Sequence, residues 1–219
     1  MKRERIDLYW IRKYPWALKY AEKQTYDMCL EAVTQNGLLL EDVRWDELNL
    51  TKEQIYNLYI IAVRQDGLAL RYIKNQTEEI CMEAVKQDGR ALKYVKNQTE
   101  EICIEAVKED GLTLIEVKEQ TDKICKEALK EDKHEVRYVN DKEKYLEEFG
   151  IRYLEAQGKV REVIAIKKNR EWLFTLGCQI NITKEEFLYR IYNTAGGFDL
   201  KLGINVHRKV YIDFLEQFE

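Results

Sequence analysis

The chain has 219 residues, 45% hydrophobic and 35% charged, which suits one long domain or two modest ones built from short surface helices. Its net charge of -4 weighs against a general nucleic-acid binder, which would be basic, and against a polyanion mimic, which would be strongly acidic. The chain has one proline, Pro15, and no apolar run near the ~18 residues a membrane helix needs, which excludes a disordered linker protein and a helical membrane span. The opening Met1-Lys-Arg-Glu-Arg-Ile-Asp7 carries acids and leads into no signal-type apolar run, so a cytoplasmic location is expected.

In chain order, the first feature is a repeat. Asn75-Gln-Thr-Glu-Glu-Ile-Cys-Met-Glu-Ala-Val-Lys-Gln-Asp-Gly89 is followed 22 residues later by a near copy ending at Gly111. With this glycine as the anchor, the series runs Pro15, Gly37, Gly67, Gly89, Gly111 and Lys133. Every spacing is 22 except Gly37 to Gly67, which is 30, so an eight-residue insertion sits near Arg44–Thr51. Apolar residues stand nine, eight, five and four before the anchor, as in Ile80, Cys81, Ala84 and Val85, and form one helical stripe. Thr25, Thr77, Thr99 and Thr121 are N-cap candidates, and the glycine is expected to stop the helix in a left-handed C′ conformation. A shorter second helix of ~7 or 8 residues follows each anchor, with Leu70, Leu92, Leu114, Ile73, Val95 and Val117 on its apolar side. One unit cannot bury both stripes alone, whereas stacked units can. The predicted fold is mainly α: an α-solenoid of about six two-helix repeats over roughly residues 1–140.

The run Leu92-Lys-Tyr-Val-Lys-Asn-Gln-Thr-Glu-Glu-Ile-Cys-Ile-Glu-Ala-Val-Lys-Glu-Asp-Gly111 resembles an uncharacterised family of tandem helical repeats, the domain of unknown function four-one-one-six. The resemblance covers about residues 14–140. It implies a repeat fold and no chemistry, because the family has no assigned catalytic residues. Repeats of this kind occur in viruses and mobile elements, which suggests by analogy an inhibitor of a host defence complex, of the anti-CRISPR type. The first unit departs from the pattern at Asp7 and Pro15, and the last at Lys133.

Near residue 141 the composition shifts, and all six phenylalanines lie at 149 or later. Residues 141–158 are expected to form one capping helix, Lys142–Gln157, with Gly150 in a small-residue position and Gly158 at its end. Over 159–219 the pattern predicts a small ββαα unit. Val160–Lys167, a turn at Lys168-Asn169-Arg170, and Trp172, Phe174, Leu176, Cys178 and Ile180 on alternate positions read as a β-hairpin with one apolar face. Thr183-Lys-Glu-Glu186 is a capping box that opens a helix to about Tyr192. Asn193–Gly197 reads as a turn. Asn205 is expected to cap a last helix, His207–Gln217.

No catalytic, cofactor or metal site is expected. Four of the five cysteines share one buried repeat position, and there is no C-x-x-C spacing. Cys178 and His207 are the one thiol–imidazole pair available, but the alternation from Trp172 turns Cys178 toward the core. The four Asn-x-Thr sequences read as helix starts rather than glycan acceptors. Stripes of cations (Arg12, Arg64, Lys86, Lys108, Lys130 and Arg44, Lys74, Lys96, Lys118), with Tyr20, Tyr72, Tyr94 and Tyr138, leave an RNA- or DNA-associated reading as the alternative. Helix dipoles favour cations in last turns without any ligand.

The expected function is therefore a non-enzymatic module that binds another protein or protein complex, with no membrane partner. The candidate contacts are what breaks the repeat. Trp45, with Asp46 and Glu47 in the insertion, could anchor a partner or fold back on the next helix. Arg161, Lys167, Lys168 and Arg170 make the hairpin basic.

Overall fold

The computed structural model describes residues 6–193 and 207–218, together with the backbone of 198–199 and 204–205. The chain divides into two compact units, Met1–Val139 and Asn140–Glu219.

The first unit alternates α-helices with six-residue 3-10 helices. The α-helices are α1 (Leu8–Lys13), α2 (Tyr26–Gln35), α3 (Lys52–Gln65), α4 (Glu78–Gln87), α5 (Glu100–Glu109) and α6 (Asp122–Glu131). Each is followed by a 3-10 helix: Pro15–Tyr20, Gly37–Asp42, Gly67–Tyr72, Gly89–Tyr94, Gly111–Glu116 and Lys133–Tyr138. The expected threonines open the α-helices: Thr25, Thr77, Thr99 and Thr121 accept from the backbone N–H of Met28, Ile80, Ile102 and Ile124. The predicted stripes form the core, with Ala62, Val63, Ala84, Val85, Ala106 and Val107 all fully buried.

The second element of each repeat is a 3-10 rather than an α-helix, and the reason is its boundaries. Asn36, Asp66, Asp88, Asp110 and Asp132 take extended backbone that ends the α-helix. Each side chain then accepts from the backbone two residues on, as Asp66 Oδ1 does from Leu68 N at 2.9 Å. The Leu70 carbonyl closes the far end on Ile73 N at 3.0 Å. Six residues held between two such stops make i to i+3 bonds.

The anchor glycine does not take the expected left-handed conformation. Among the described glycines only Gly150, Gly158 and Gly177 have positive φ. The anchor is small for a different reason. A Cβ on Gly37 or Gly67 would overlap the carbonyl oxygen of Ala62 or Ala84 in the following repeat, and one on Gly89 would lie 2.6 Å from Ala106 O. The glycine is a point of close approach between units.

The eight-residue insertion divides in two. Four residues lengthen α3, which has 14 residues where α2, α4, α5 and α6 have 10. The other four form the link around a short 3-10 turn, Trp45–Glu47. Thr51 and Gln54 close a full capping box at the start of α3.

The second unit corrects the expected capping helix. Helix α7 covers only Glu143–Phe149, and Gly150, at φ 62° and ψ 50°, ends it in the left-handed region that favours glycine. The chain then continues as strand β1, Ile151–Leu154. β2 (Val163–Lys168), β3 (Glu171–Leu176) and β4 (Gln179–Ile182) complete an antiparallel sheet in the order β1-β2-β3-β4. Gly158 sits in the β1–β2 link rather than at a helix end. The predicted hairpin is β2–β3, with Lys167 opposite Trp172 and Lys168 opposite Glu171. Asn169 and Arg170, at φ 51° and 71°, make its turn.

The alternation from Trp172 to Ile180 is broken by Gly177, φ 58°, which turns the chain into β4. Cys178 is consequently exposed rather than turned to the core, and Ile180 is 64% exposed. Helix α8 covers Lys184–Asn193 and opens with the predicted capping box: Thr183 N donates to Glu186 Oε2 and Glu186 N to Thr183 Oγ1, at 3.1 and 3.2 Å. Asn205 does not cap the last helix. It lies in β6 (Ile204–Asn205), paired with β5 (Phe198–Asp199), while α9 covers Arg208–Leu215 with His207 in the N-cap position. Of the expected turn at Asn193–Gly197, Asn193 ends α8 and residues 194–197 lie outside the described residues. An aromatic core closes this unit: Phe174 packs tilted against Phe187 at 5.4 Å and edge to face against Phe218 at 5.0 Å.

Candidate functional site

Within the solenoid the polar side chains divide into those committed to the junctions and those left at the surface. The glutamine of Asn-Gln-Thr is a junction residue that sequence reasoning missed. Gln76 Nε2 donates to Tyr94 O at 2.9 Å, and its Oε1 accepts from Lys96 N at 3.0 Å. Gln98 makes the same bonds to Glu116 O and Lys118 N, and Gln24, 1% exposed, makes them to Asp42 O and Arg44 N. Gln120 Nε2 donates to Tyr138 O at 2.8 Å. The same amide nitrogens also donate to the preceding repeat, to Leu18 O, Ile73 O, Leu92 O and Leu114 O, so one amide ties the end of its own repeat's 3-10 helix to the one before.

The repeat cysteines complete this clamp. The thiols of Cys29, Cys81, Cys103 and Cys125 donate to Oε1 of Gln24, Gln76, Gln98 and Gln120 over 3.7–3.9 Å. Burial pushes the Cys29 and Cys103 thiols up to about 11 and raises that of Cys81, so they stay protonated donors and poor nucleophiles. The unit carrying the insertion has neither partner: Leu50 and Tyr59 occupy the glutamine and cysteine positions.

Trp45 belongs to that exchange. Its ring meets Tyr59 edge to face at 5.3 Å and is half-buried, so the insertion folds back on α3. Asp46 and Glu47 beside it are exposed, and Glu47 pairs with Arg44 at 2.8 Å.

The two cation stripes are also occupied in part. Lys96 Nζ donates to Lys74 O at 2.6 Å, and Lys118 Nζ to Lys96 O at 2.9 Å, each reaching the equivalent residue one repeat back. Arg12 and Arg64 pair with Glu31 and Glu83 of the next unit, at 3.4 and 2.6 Å.

In the second unit, Lys167, Lys168 and Arg170 are exposed together at the β2–β3 tip, with Lys167 Nζ 5.8 Å from the Trp172 ring centre. Arg161 does not join them. It precedes β2, at the other end of the hairpin, where its guanidinium covers Gly177 and its backbone N–H donates to the Tyr211 hydroxyl at 2.9 Å.

The surface feature that stands out is on the 3-10 helices. Leu112 and Ile115 are 54% and 64% exposed. The same two positions hold Arg90 and Lys93 one repeat earlier, and His134 and Arg137 one repeat later. Leu68, Lys93 and Tyr94 join this apolar pair in lining an open groove of about 360 Å³. Arg90 on its wall is held by Asp88 in a forked pair at 2.9 and 2.6 Å, and that bond keeps the Asp88 carboxyl below its ordinary value. Among the described residues no cluster of three or more His, Cys, Asp or Glu is placed to hold a metal, and no helix is long and apolar enough to cross a membrane.

A family model described as a domain of unknown function, DUF4116, matches residues 57–99 and 77–120. The two overlapping matches fall on the most uniform stretch of the solenoid. No curated protein and no solved structure matches the chain.

Proposed function

Starting from repeats that match a family with no assigned chemistry, we propose that the chain is a non-enzymatic protein-interaction module and that the Leu112–Ile115 groove is its contact surface. The exposed apolar pair carries this reading. A solvated solenoid face has no use for the large apolar Ile115 where the other repeats place Lys19, Glu41, Arg71, Lys93 and Arg137, whereas an interface centre does, and the exposed Leu112 beside it widens the apolar patch. The alternative, an RNA- or DNA-associated protein, draws support from the basic β2–β3 tip. Against it, the lysine stripe donates to backbone carbonyls between repeats. An inhibitor of a host defence complex would be one such module.

The test is affinity capture from native extract, with and without nuclease, by the wild type and by Leu112→Glu with Ile115→Glu. Both side chains are more than half exposed, so the double variant keeps its fold. The expected result is a partner retained through nuclease treatment and lost by the variant. A partner kept by the folded variant moves the contact elsewhere. One released by nuclease, with affinity falling steeply as salt rises, establishes the nucleic-acid alternative.

A further inference from the structure

The β2–β3 hairpin reaches beyond the sheet that carries it. β1 pairs with β2 no further than Ile166, and β4 with β3 no further than Phe174, so Lys167–Trp172 project as a two-stranded ribbon. Side chains along it alternate between the two faces. Lys167 lies on the face of Trp172, Lys168 lies on the opposite face with Glu171, and Arg170 stands at the end. Arg152 of β1 reaches across to the same ring: its guanidinium and the Lys167 ammonium lie 5.7 and 5.8 Å from the Trp172 ring centre.

Two observations set this patch apart from the other charges of the chain. The first is that it is uncompensated. Among the described residues the side chains of Lys167, Lys168 and Arg170 make no ion pair or hydrogen bond, and that of Arg152 donates only to the Ile151 carbonyl, at 3.1 Å. Glu171, the one acid of the ribbon, pairs with none of them. In the solenoid, by contrast, Arg12, Arg44, Arg64 and Arg90 are matched by Glu31, Glu47, Glu83 and Asp88. The second is the backbone of the turn. Asn169 and Arg170 both have positive φ, at 51° and 71°. Such a two-residue turn suits asparagine followed by glycine. Arginine holds the glycine position against its own backbone preference, at an exposed point where no packing calls for it.

We infer that this ribbon is a contact for double-stranded DNA, seated in a groove with phosphates on both sides. The inference stands beside the reading of the Leu112–Ile115 groove and does not rest on it. Cations on both faces and at the end of one narrow ribbon match a groove walled by two rows of phosphates, and the major groove of DNA, about 12 Å wide, admits a two-stranded ribbon. A flat acidic protein or an anionic membrane would meet one side of the ribbon only. A protein interface also needs an apolar or aromatic centre, whereas Trp172 is half-buried with its ring edge to face against Phe218 at 4.9 Å. The major groove of an RNA duplex is too deep and narrow to take the ribbon. The net charge of -4 weighs against a general binder but not against a local contact, and it sets the expected affinity low.

The test is fluorescence anisotropy of a dye-labelled DNA duplex of about 20 base pairs titrated with the full chain. Four phosphate contacts, from Arg152, Lys167, Lys168 and Arg170, give a log–log salt slope of about -3.6, with a Kd of about 1–100 µM at about 150 mM salt and roughly fiftyfold tighter binding at about 50 mM. Arg170→Gly should weaken binding about tenfold at the lower salt, with a melting temperature unchanged or raised because glycine suits the turn. Lys167→Gln, Lys168→Gln and Arg170→Gly together should reduce the steepness of the slope by about 2.7. Leu112→Glu with Ile115→Glu should bind the duplex as the wild type does, so this inference and the groove reading fail separately. A wild type that leaves the duplex free at the lower salt overturns the proposal, as does an unchanged slope in the folded triple variant. Equal binding of an RNA duplex, of polyglutamate or of phosphatidylserine vesicles also overturns it, because the ribbon would then be answering to charge and not to the shape of a DNA groove.

Discussion

The junction after Gly67 and the junction after Gly111 use the same repeat positions and differ in how closely the units approach. A Cβ on Gly67 would overlap Ala84 O, one on Gly89 would lie 2.6 Å from Ala106 O, and one on Gly111 would lie 3.9 Å from Ala128 O. The opening follows the residue two past the anchor in the following unit. It is Ala69 or Ala91 at the tight junctions, Thr113 at the next and Glu135 at the last. All four are buried, and larger side chains there hold the units apart. The sequence repeat has one period; the side chain at this one position sets how tightly each turn of it closes.

Adding one methyl should break the likeness between the two ends. Gly67→Ala pushes Cβ into a backbone carbonyl that cannot move without its helix, and it is expected to cost about 3 kcal/mol or more. Gly111→Ala meets the flexible Glu135 Cγ at 3.0 Å and is expected to cost under about 1 kcal/mol. Urea unfolding followed by helix signal would read both. Equal costs would mean that the glycines act through backbone freedom rather than close approach.

Glu135 itself should make the loose junction depend on pH. It is 5% exposed, its Oε2 has no hydrogen-bond partner, and burial pushes its carboxyl up to about 7, with Asp132 and Asp110 raising it further and Arg137 opposing them. A carboxyl whose folded pKa lies above its unfolded value near 4.5 stabilises the fold fully below pH 4.5. That contribution is lost as pH rises toward 7. Glu135→Gln should therefore match the wild type at pH 4 and exceed it by about 2–3 kcal/mol at pH 8. Melting curves at the two pH values check this, and equal gains at both would show that bulk rather than charge matters there.

The glutamine clamps predict the next effect. Gln98→Leu leaves the Glu116 carbonyl and the Lys118 N–H without their partner, and about 2 kcal/mol of stability should go with them. The same leucine stands at position 50 in the unit with the insertion, where Trp45 against Tyr59 replaces the clamp. Trp45→Ala is accordingly expected to lower stability by about 1–2 kcal/mol, read as a lower melting temperature. A folded, equally stable Trp45→Ala variant would return Trp45 to the surface as a binding residue.

These contrasts also mark how far the sequence could be read. Period, helix stripes, threonine caps and the eight-residue insertion were legible, because each repeats or breaks a pattern along one chain. The glycine's purpose was not, since close approach and left-handed backbone select the same residue, and the difference lies 17 to 25 residues away at Ala84 or Ala62. The glutamine clamp could have been found, because Gln and Cys are replaced together in the inserted unit by Leu50 and Tyr59. So could the groove, where Ile115 stands in a position that every other repeat fills with a charge. The tail resisted more. Tyr153 and Leu154 fit a helix stripe and a strand equally, and Gly150 decided between them. Arg161 is close to Lys167 in sequence, but an extended strand carries it to the opposite end of the hairpin.

The smallest effect is expected from the lysines that bridge the repeats. Lys96 and Lys118 reach back to Lys74 O and Lys96 O, but both side chains are exposed. Water offers those carbonyls an equivalent partner, so each bond should contribute less than about 0.5 kcal/mol. Lys96→Gln with Lys118→Gln is then expected to move the melting midpoint by less than about 3 °C. The variant bears on the comparison as well as on function. If it loses as much stability as Gln98→Leu, the exposed belt and not the buried clamp holds the tight junctions. If stability is kept but a salt-sensitive affinity for RNA falls, the same ammonium groups were contacting phosphates, and the loss in salt slope would count how many. With the junctions set by Gly–Ala approach and glutamine, neither change is expected.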